Sequence, residues 1–304
     1  MNAEHNILKT LLYFDIFDYP LTKDEIIRFS SLTEIEKSID ESLKNLVTNK
    51  EIWVLDEFYS LKNNPSLVLR RKDGNKRAES LLKNAYSISQ TLAKFPFVRG
   101  IGISGSLSKF FADKNADIDY FIITHSNRLW IARTLMHLYK KLPFIRRNIH
   151  FYCMNYYVDE IQLQIEEKNV YTATELLTLL PMYGNGSIEN LYDANQWAFS
   201  YFPNLNIADN DLRKTKTPKD GLIKKIFELL FNNRFGNWLD NYLLKITRKR
   251  WQHKEDQKKL NQKGGRMGFK MSKNCCKPNP RFFHDNFIKK YESRIAKLLI
   301  SEIG

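Results

Sequence analysis

Two aspartates, one residue apart, begin an apolar segment in the stretch SGSLSKFFADKNADIDYFII, which runs from Ser104 to Ile123. The apolar run VRGIGIS precedes a Gly-Ser pair, and a second run, DIDYFIIT, follows after a short connection. This pattern predicts a strand, a short helix and another strand. It constrains the chain more than any other feature, because carboxylates seldom occur in an otherwise apolar strand.

Asp117 and Asp119 are expected to project from the same face of the second strand, since side chains at i and i+2 share a face. Two like charges about 6–7 Å apart repel, and each raises the pKa of the other unless a cation lies between them. Oxygen ligands in this arrangement suit Mg²⁺ or Mn²⁺, which join carboxylates to substrate phosphates. The alternative is that both residues merely flank a turn.

Gly105 and Ser106 are predicted to lie where the first strand turns into a helix N-terminus. Glycine lets the backbone approach a phosphate closely, and the N–H groups and dipole of a helix N-terminus favour an anion. Lys109 follows on the same helix and is a further candidate for phosphate binding, although a solvated lysine explains it as well. One end of the stretch therefore offers amides to a triphosphate, and the other offers carboxylates to its metal.

This arrangement resembles the nucleotidyltransferase superfamily, which includes DNA polymerase beta and the minimal nucleotidyltransferases. The family pattern is an apolar strand, Gly-Ser, a short connection and Asp-x-Asp, and here ten residues separate Ser106 from Asp117. The resemblance covers residues 99–160 and implies that Asp117 and Asp119 bind the metal while Gly105 and Ser106 contact phosphates. It also implies transfer of a nucleoside monophosphate from an NTP to a hydroxyl acceptor.

The third carboxylate that active members of this family carry on the next strand has no counterpart at that place in the sequence. No Asp or Glu occurs between Asp119 and Asp159, and the predicted third strand offers His150, Asn148 and Asn155 instead. A histidine titrates near neutral pH and can deprotonate a hydroxyl, so His150 is the candidate base. The pairs Asp159-Glu160 and Glu166-Glu167 remain alternatives if either folds back toward the site.

Residues 1–65 are interpreted as a winged-helix-like domain. Thr22 is a plausible N-cap with Glu25 at the capping-box position, a third helix lies in TEIEKSIDESLKNLV, and a hairpin turns near Asp56. Such domains often bind DNA, but the acidic third helix is poorly suited to a groove lined with phosphates. Packing of this unit against the rest of the protein is the favoured expectation.

Positive charge is concentrated in the C-terminal third. The chain carries a net charge of +14, and from Asp211 onward 24 Lys and Arg residues stand against 9 Asp and Glu residues. Such a surface either is simply solvated or receives a polyanion, such as an anionic acceptor or nucleic acid. The three cysteines form no disulfide framework and fit a reducing cytoplasm.

The remaining segments are predicted to be mainly helical. Residues 66–98 read as a linking helix broken at Gly74, and residues 171–304 as a basic helical region. Five of its residues are candidates to line a nucleotide cleft, although an ordinary helical core explains them too: Thr172, Glu175, Tyr183, Asn195 and Trp197. The segment LIKKIFELLFNNRFGNWLDNYLLKITRKR mixes apolar and basic residues, as membrane-surface helices do. Burial is the simpler expectation for its large residues Leu229, Leu230, Trp238, Leu239, Tyr242 and Leu243.

The sequence thus predicts an α+β protein with a nucleotidyltransferase-like mixed sheet over residues 99–170, a winged-helix-like domain before it and a helical region after it. The expected activity is Mg²⁺-dependent nucleotidyl transfer from an NTP. The alternatives are a nucleotide- or nucleic-acid-binding protein on a disabled transferase core and a DNA-binding regulator. No signal peptide and no membrane span are expected.

Overall fold

The structure is a computed structural model that describes residues 3–31, 36–142, 152–184, 186–211, 221–257, 268–278 and 281–301. It has an α+β fold in which helices surround a mixed sheet. The helices are α1 (Ala3–Asp15), α2 (Lys23–Phe29), α3 (Glu36–Thr48), α4 (Ser66–Leu92), α5 (Leu129–Lys140), α6 (Val170–Leu177), α7 (Ser187–Asp193), α8 (Leu222–Phe231), α9 (Arg234–Asp256) and α10 (Arg281–Ser301). Three short 3₁₀ turns cover Ser106–Lys109, Gln196–Ser200 and Ile207–Asn210.

Two sheets contain the described strands. The strands are β1 (Trp53–Leu55), β2 (Phe58–Ser60), β3 (Val98–Ser104), β4 (Ile118–Thr124), β5 (Tyr152–Asp159), β6 (Leu180–Tyr183), β7 (Phe269–Met271) and β8 (Cys275–Pro278). The first two form a separate hairpin, and the other six form one sheet in the order β6-β3-β4-β5-β8-β7. Within it only the β4–β5 pairing is parallel.

The N-terminal helices and hairpin follow the sequence prediction. The capping box of α2 is confirmed, because the Thr22 hydroxyl accepts from the Glu25 amide at 3.2 Å and the Glu25 carboxylate accepts from the Thr22 amide at 3.0 Å. The predicted hairpin is also confirmed, and Asp56 takes a positive φ of 59° at its turn. These short-range patterns are read well from sequence, since their hydrogen bonds join near neighbours.

The N-terminal unit packs against the central sheet. One hydrophobic cluster joins Ile7 and Ile26 of the helices with Phe121 and Ile123 of β4. The Tyr19 hydroxyl donates to the Lys109 carbonyl at 2.9 Å, which ties this unit directly to the connection between β3 and β4. The N-terminal helices therefore support the sheet end where the two aspartates lie.

Helix α4 runs without a break through Gly74, contrary to the sequence prediction. A Cβ at Gly74 would lie 2.2 Å from a ring carbon of Phe111, and the Gly74 carbonyl accepts from the Ala112 amide at 3.1 Å. The glycine is therefore explained by a close approach of two segments, and it does not interrupt the helix. Glycine is tolerated inside a helix at a cost of about 1 kcal/mol relative to alanine.

Ser126 and Asn127 are residue types that favour an N-cap and were expected to cap α5, but Arg128 occupies the N-cap position. The Asn127 amide donates to Asp159 at 2.8 Å, and the Ser126 amide donates to Glu160 at 3.3 Å. The Arg128 guanidinium donates to the Phe231 carbonyl at 2.9 Å, which fastens the end of α8 to this turn. Long-range contacts thus determine where α5 begins.

Strands occur in two segments for which the sequence predicted helix or loop. Leu180–Tyr183 forms β6 on the sheet edge beside β3, where the missing N–H of Pro181 is tolerated. Phe269–Met271 and Cys275–Pro278 form β7 and β8, and β8 pairs with β5 and buries Cys276, so the sequence KGGRMGFKMSKNCCKP, whose basic and glycine residues are typical of a loop, is partly a hairpin. The Gly264-Gly265-Arg266 segment lies outside the described residues.

Helices α8 and α9 meet at Asn232 and Asn233, and the Asn233 side chain caps α9 by accepting from the Gly236 amide at 3.1 Å. The predicted burial of their large residues is wrong for four of six. Leu239 and Leu243 pack against the cluster around Phe97. Four others are exposed: Leu229, Leu230, Trp238 and Tyr242.

Candidate functional site

The antiparallel pairing of β3 and β4 brings the Gly-Ser pair next to the aspartates. Ser104 at the end of β3 pairs with Asp119 near the start of β4, and Asp117 immediately precedes β4. Gly105 follows β3 directly, so the bend and both carboxylates lie at one end of the sheet. The sequence-predicted residues Gly105, Asp117 and Asp119 are therefore neighbours in the structure.

The bend after β3 requires glycine at position 105. Its φ of 73° and ψ of −154° lie in a region that is essentially restricted to glycine. A Cβ at this position would lie 2.8 Å from Asp119 Oδ2, which is closer than a side chain can approach without a shift. The bend thus requires glycine for its backbone conformation and for its contact with the carboxylate.

Asp117 and Asp119 both face β5 on the same side of the sheet. The Cys153 thiol lies 3.8 Å from Asp117 Oδ2, and Cys153 is also the strand partner of Asp119. The Asn155 side-chain amide donates to Asp119 Oδ1. Cys153 and Asn155 are two residues apart on β5 and therefore share the face that contacts the aspartate pair, and the β4–β5 pairing has a bulge at Asn155.

The Cys153 thiol responds to the negative charge of this pair. Burial raises its pKa, and the charges of Asp117 and Asp119 raise it further, while Lys140 acts in the opposite direction. Tyr171 is affected similarly, because burial raises its pKa and the charges of Glu175 and Asp119 add to that effect. The site is therefore electronegative, as a pair of like charges requires.

The short helix predicted after Gly105 is present as a single 3₁₀ turn over Ser106–Lys109. A helix of one turn contributes less dipole than the expected helix N-terminus would. Ser106 is exposed, whereas the Lys109 ammonium turns inward. Lys109 Nζ donates to the Gly105 carbonyl at 3.0 Å and pairs with Glu175 Oε1 at 2.7 Å.

Glu175 of α6 is a site residue that the sequence did not single out. Its Oε2 accepts from the Gly105 amide at 2.8 Å, so one carboxylate bridges the bend and Lys109. The sequence offered only a set of five cleft candidates that included it. Asn195 of that set is buried and bonds to the Ile165 amide and the Leu163 carbonyl, which is a structural role.

The alternatives for a third carboxylate on β5 do not reach the aspartate pair. Asp159 pairs with Thr124 at the opposite end of β4, and Glu160 bonds to the amide of Ser126 at that same end. Glu166 and Glu167 form ion pairs with Lys270 at 2.7 and 2.8 Å. His150 lies outside the described residues.

The donor set at this end of the sheet consists of hard oxygens from Asp117 and Asp119, with the soft Cys153 thiol beside them. Two carboxylates are what a protein typically contributes to Mg²⁺, which takes its other ligands from phosphates and water. In the described part of the chain, no group of three or more His, Cys, Asp and Glu side chains is arranged to hold a metal ion. The side chains therefore fit one Mg²⁺ shared with a substrate better than a closed protein site.

Comparison of the chain with protein-family models, with curated proteins and with solved structures finds no match. Among the described helices, none has the length and apolar content needed to cross a bilayer.

Proposed function

We propose that the protein is a Mg²⁺-dependent nucleotidyltransferase that transfers a nucleoside monophosphate from an NTP to a hydroxyl acceptor. One observation carries the proposal: Asp117 and Asp119 share a sheet face, and a glycine-only bend contacts one of them. Carboxylates and a tight glycine bend are the two parts that a metal-bound polyphosphate needs on opposite sides. The resemblance in sequence over residues 99–160 supports the same assignment.

In this proposal Asp117 and Asp119 hold Mg²⁺, or Mn²⁺ in its place. The metal supplies neutralisation of the charge that develops on the transferred and leaving phosphate oxygens. Ser106 contacts a phosphate in this proposal, which is supported by its exposure to solvent beside the bend. The Gly105 amide is engaged by Glu175, which holds the bend in its conformation.

Lys109 acts in this proposal as a positioning residue and not as a direct phosphate ligand. Its ammonium bonds to the Gly105 carbonyl and to Glu175, so it secures both sides of the bend. Partly buried ion pairs of this kind fix geometry more reliably than they add stability. His150 remains the sequence-based candidate for deprotonating the acceptor.

The test uses the full chain with each of the four NTPs labelled at the α-phosphate, Mg²⁺ and a cell extract that supplies hydroxyl acceptors. We expect label transfer and pyrophosphate release with at least one NTP. Asp119→Asn should lower the rate by roughly 10²- to 10³-fold, since it removes a charge that positions the metal. Asp113→Asn is the matched control, because Asp113 is an exposed acid of the same connection that pairs with Arg70.

Binding of a nucleotide without transfer is the second candidate function. The residues of β5 that contact Asp117 and Asp119 favour this function. They are Cys153 and Asn155, and neither supplies a carboxylate to a metal ion. This function predicts that NTP and Mg²⁺ raise the melting temperature, that Asp119→Asn abolishes the shift, and that no pyrophosphate is released. Absence of both the shift and the release would contradict both candidates.

A further inference from the structure

Helix α8 exposes its aliphatic residues to solvent, while Phe227 and Phe231 pack inward against the cluster around Phe97. Leu222, Ile223 and Leu229 are 73%, 83% and 80% exposed, whereas Lys224 is 2% exposed. In an ordinary surface helix the apolar stripe faces the core and the charged residues face water. The exposed aliphatic residues and the buried lysine depart from that pattern, which requires an explanation outside the stability of the isolated chain.

Specific polar contacts hold α8 in this orientation. Lys224 Nζ donates to the carbonyls of Ala93 and Val98, both at 3.2 Å. Glu228 accepts two hydrogen bonds of 2.9 Å from Arg99 and one of 2.6 Å from the Phe97 amide. Partial burial alone would raise the pKa of Glu228, but these bonds outweigh it and the pKa lies below its usual value. The outward direction of the apolar residues is therefore built into the fold.

Helix α9 continues the same surface with a row of aromatic rings. Phe235 stacks on Trp238 with ring centroids 5.6 Å apart, and Trp238 stacks on Tyr242 at 5.5 Å. We call this continuous surface the α8–α9 face. Its exposed members are Leu222, Ile223, Ile226, Leu229, Leu230, Phe235, Trp238, Tyr242 and Ile246.

The α8–α9 face has a positively charged border. Exposed basic residues on the two helices are Lys225, Arg234, Lys245, Arg248, Lys249 and Arg250. The acids within Leu222–Arg250 are turned inward, because Glu228 pairs with Arg99 and Asp240 is fully buried. Between Leu222 and Arg250 the outward side of both helices is therefore apolar and cationic, without an exposed acid.

We propose that the α8–α9 face docks on the surface of an anionic lipid bilayer. Aliphatic residues enter the boundary between headgroups and acyl chains, aromatic rings lie at headgroup level, and Lys and Arg reach lipid phosphates. A second copy of the chain would bring two cationic borders together, and nucleic acid offers no apolar layer to cover six large aliphatic residues. This inference is independent of the nucleotidyltransferase activity proposed above.

The experiment measures flotation of the full chain with vesicles of phosphatidylcholine alone and of phosphatidylcholine with 30 mol% phosphatidylglycerol. We expect at least tenfold more bound protein on the anionic vesicles, and loss of that difference at high salt, because screening weakens the attraction. Failure to bind the anionic vesicles overturns the proposal. Equal binding to both vesicle types also overturns it, since the charged border would then have no role.

Variants locate the binding surface. Leu229→Ser with Trp238→Ser should weaken binding about tenfold or more, because two side chains lose apolar burial in the lipid. Lys245→Glu should weaken it about fivefold or more, given roughly 1 kcal/mol per basic residue at an anionic surface. The matched controls are Leu69→Ser and Ile161→Ser, which change residues 68% and 59% exposed outside the face.

The controls and a mass measurement keep the outcomes distinct. Equal loss of binding in the control variants would overturn the assignment to the α8–α9 face. A dimer in sedimentation that Leu229→Ser dissociates, combined with no vesicle binding, would assign the face to a second copy and overturn the bilayer proposal. All substitutions are at exposed positions, so circular dichroism and melting temperature should match the parent protein.

Discussion

The parallel pair β4–β5 has carboxylates at both of its ends, and the two ends are built differently. At one end Asp159 is fully buried and accepts hydrogen bonds from the amides of Asn127 and Ile161 and from the side chain of Asn274. At the other end Asp117 and Asp119 are only half-buried and lie beside each other. The same residue type thus has two different environments on one pair of strands.

The difference separates a carboxylate whose hydrogen bonds are internal to the fold from the two that are proposed to hold a metal ion. The Asp159 carboxylate accepts hydrogen bonds from N–H groups that would otherwise lack an acceptor where β5 ends, so it caps the end of the strand. The pair at the other end combines like charges next to a bend that only glycine can form. Such repulsion is retained where a cation or substrate compensates it.

The largest expected effect comes from removing the buried carboxylate. Asp159→Ala leaves several buried N–H groups without an acceptor, and it should lower the free energy of unfolding by about 3–5 kcal/mol. Asp117→Ala, the matched variant, should leave that free energy unchanged or slightly raised, because it relieves like-charge repulsion. Urea denaturation of both variants measures the difference. Equal destabilisation by the two would mean that Asp117 is also a structural group.

A smaller effect is expected at the bend. Gly105→Ala must adopt a disfavoured backbone conformation and also displace the Asp119 carboxylate, which together should reduce stability by about 2–4 kcal/mol. Gly186→Ala is the control, because Gly186 has a φ of 80° but a Cβ there would meet nothing within 4 Å. Its loss should be about 1–3 kcal/mol, from the backbone alone. If the two variants lost equal stability, the contact between Gly105 and Asp119 would not be tight.

Sequence alone predicted the parts of the site whose residues are neighbours along strands. The spacing of Gly105, Asp117 and Asp119 determined their positions once β3 and β4 paired, and both strands were predicted. Glu175 could not be singled out, because its contact with the bend spans 70 residues of chain and leaves no periodic pattern. Asn155 was among the polar residues offered by the predicted third strand, but its hydrogen bond to Asp119 depends on the register of β4 and β5, which the sequence does not reveal.

The sequence did not predict which side of α8 faces solvent, and the reason is different. Its apolar stripe predicts an amphipathic helix, and that helix is present, but a stripe does not state which side meets the protein. The inward side is determined by hydrogen bonds with distant groups: Lys224 donates to the carbonyls of Ala93 and Val98, and Glu228 accepts from the guanidinium of Arg99. The rule that large apolar residues are buried therefore failed at Leu229 and Trp238.

The smallest expected effect on stability concerns Asp240 of α9, a second buried carboxylate that can be compared with Asp159. It is fully buried but accepts few hydrogen bonds, among them one of 2.9 Å from the Ile131 amide. Burial raises the pKa of Asp240 to about 7, and its amide donors and Arg128 only partly oppose that rise. The folded protein thus binds a proton here more tightly than the unfolded chain does, so stability is present at low pH and is lost as the pH rises through about 7.

The size of this pH effect on stability follows from the raised pKa of Asp240. Between pH 6 and pH 8 the free energy of unfolding should fall by roughly 1 kcal/mol from this group. Asp240→Asn keeps an oxygen for the Ile131 amide but cannot ionise, so this part of the pH dependence should disappear in the variant. Denaturation of both proteins at pH 6, 7 and 8 measures the difference between their slopes. Identical slopes of the unfolding free energy against pH would show that Asp240 has enough hydrogen-bond donors to ionise normally. Asp240 would then resemble Asp159, and the contrast between the two buried carboxylates would be wrong.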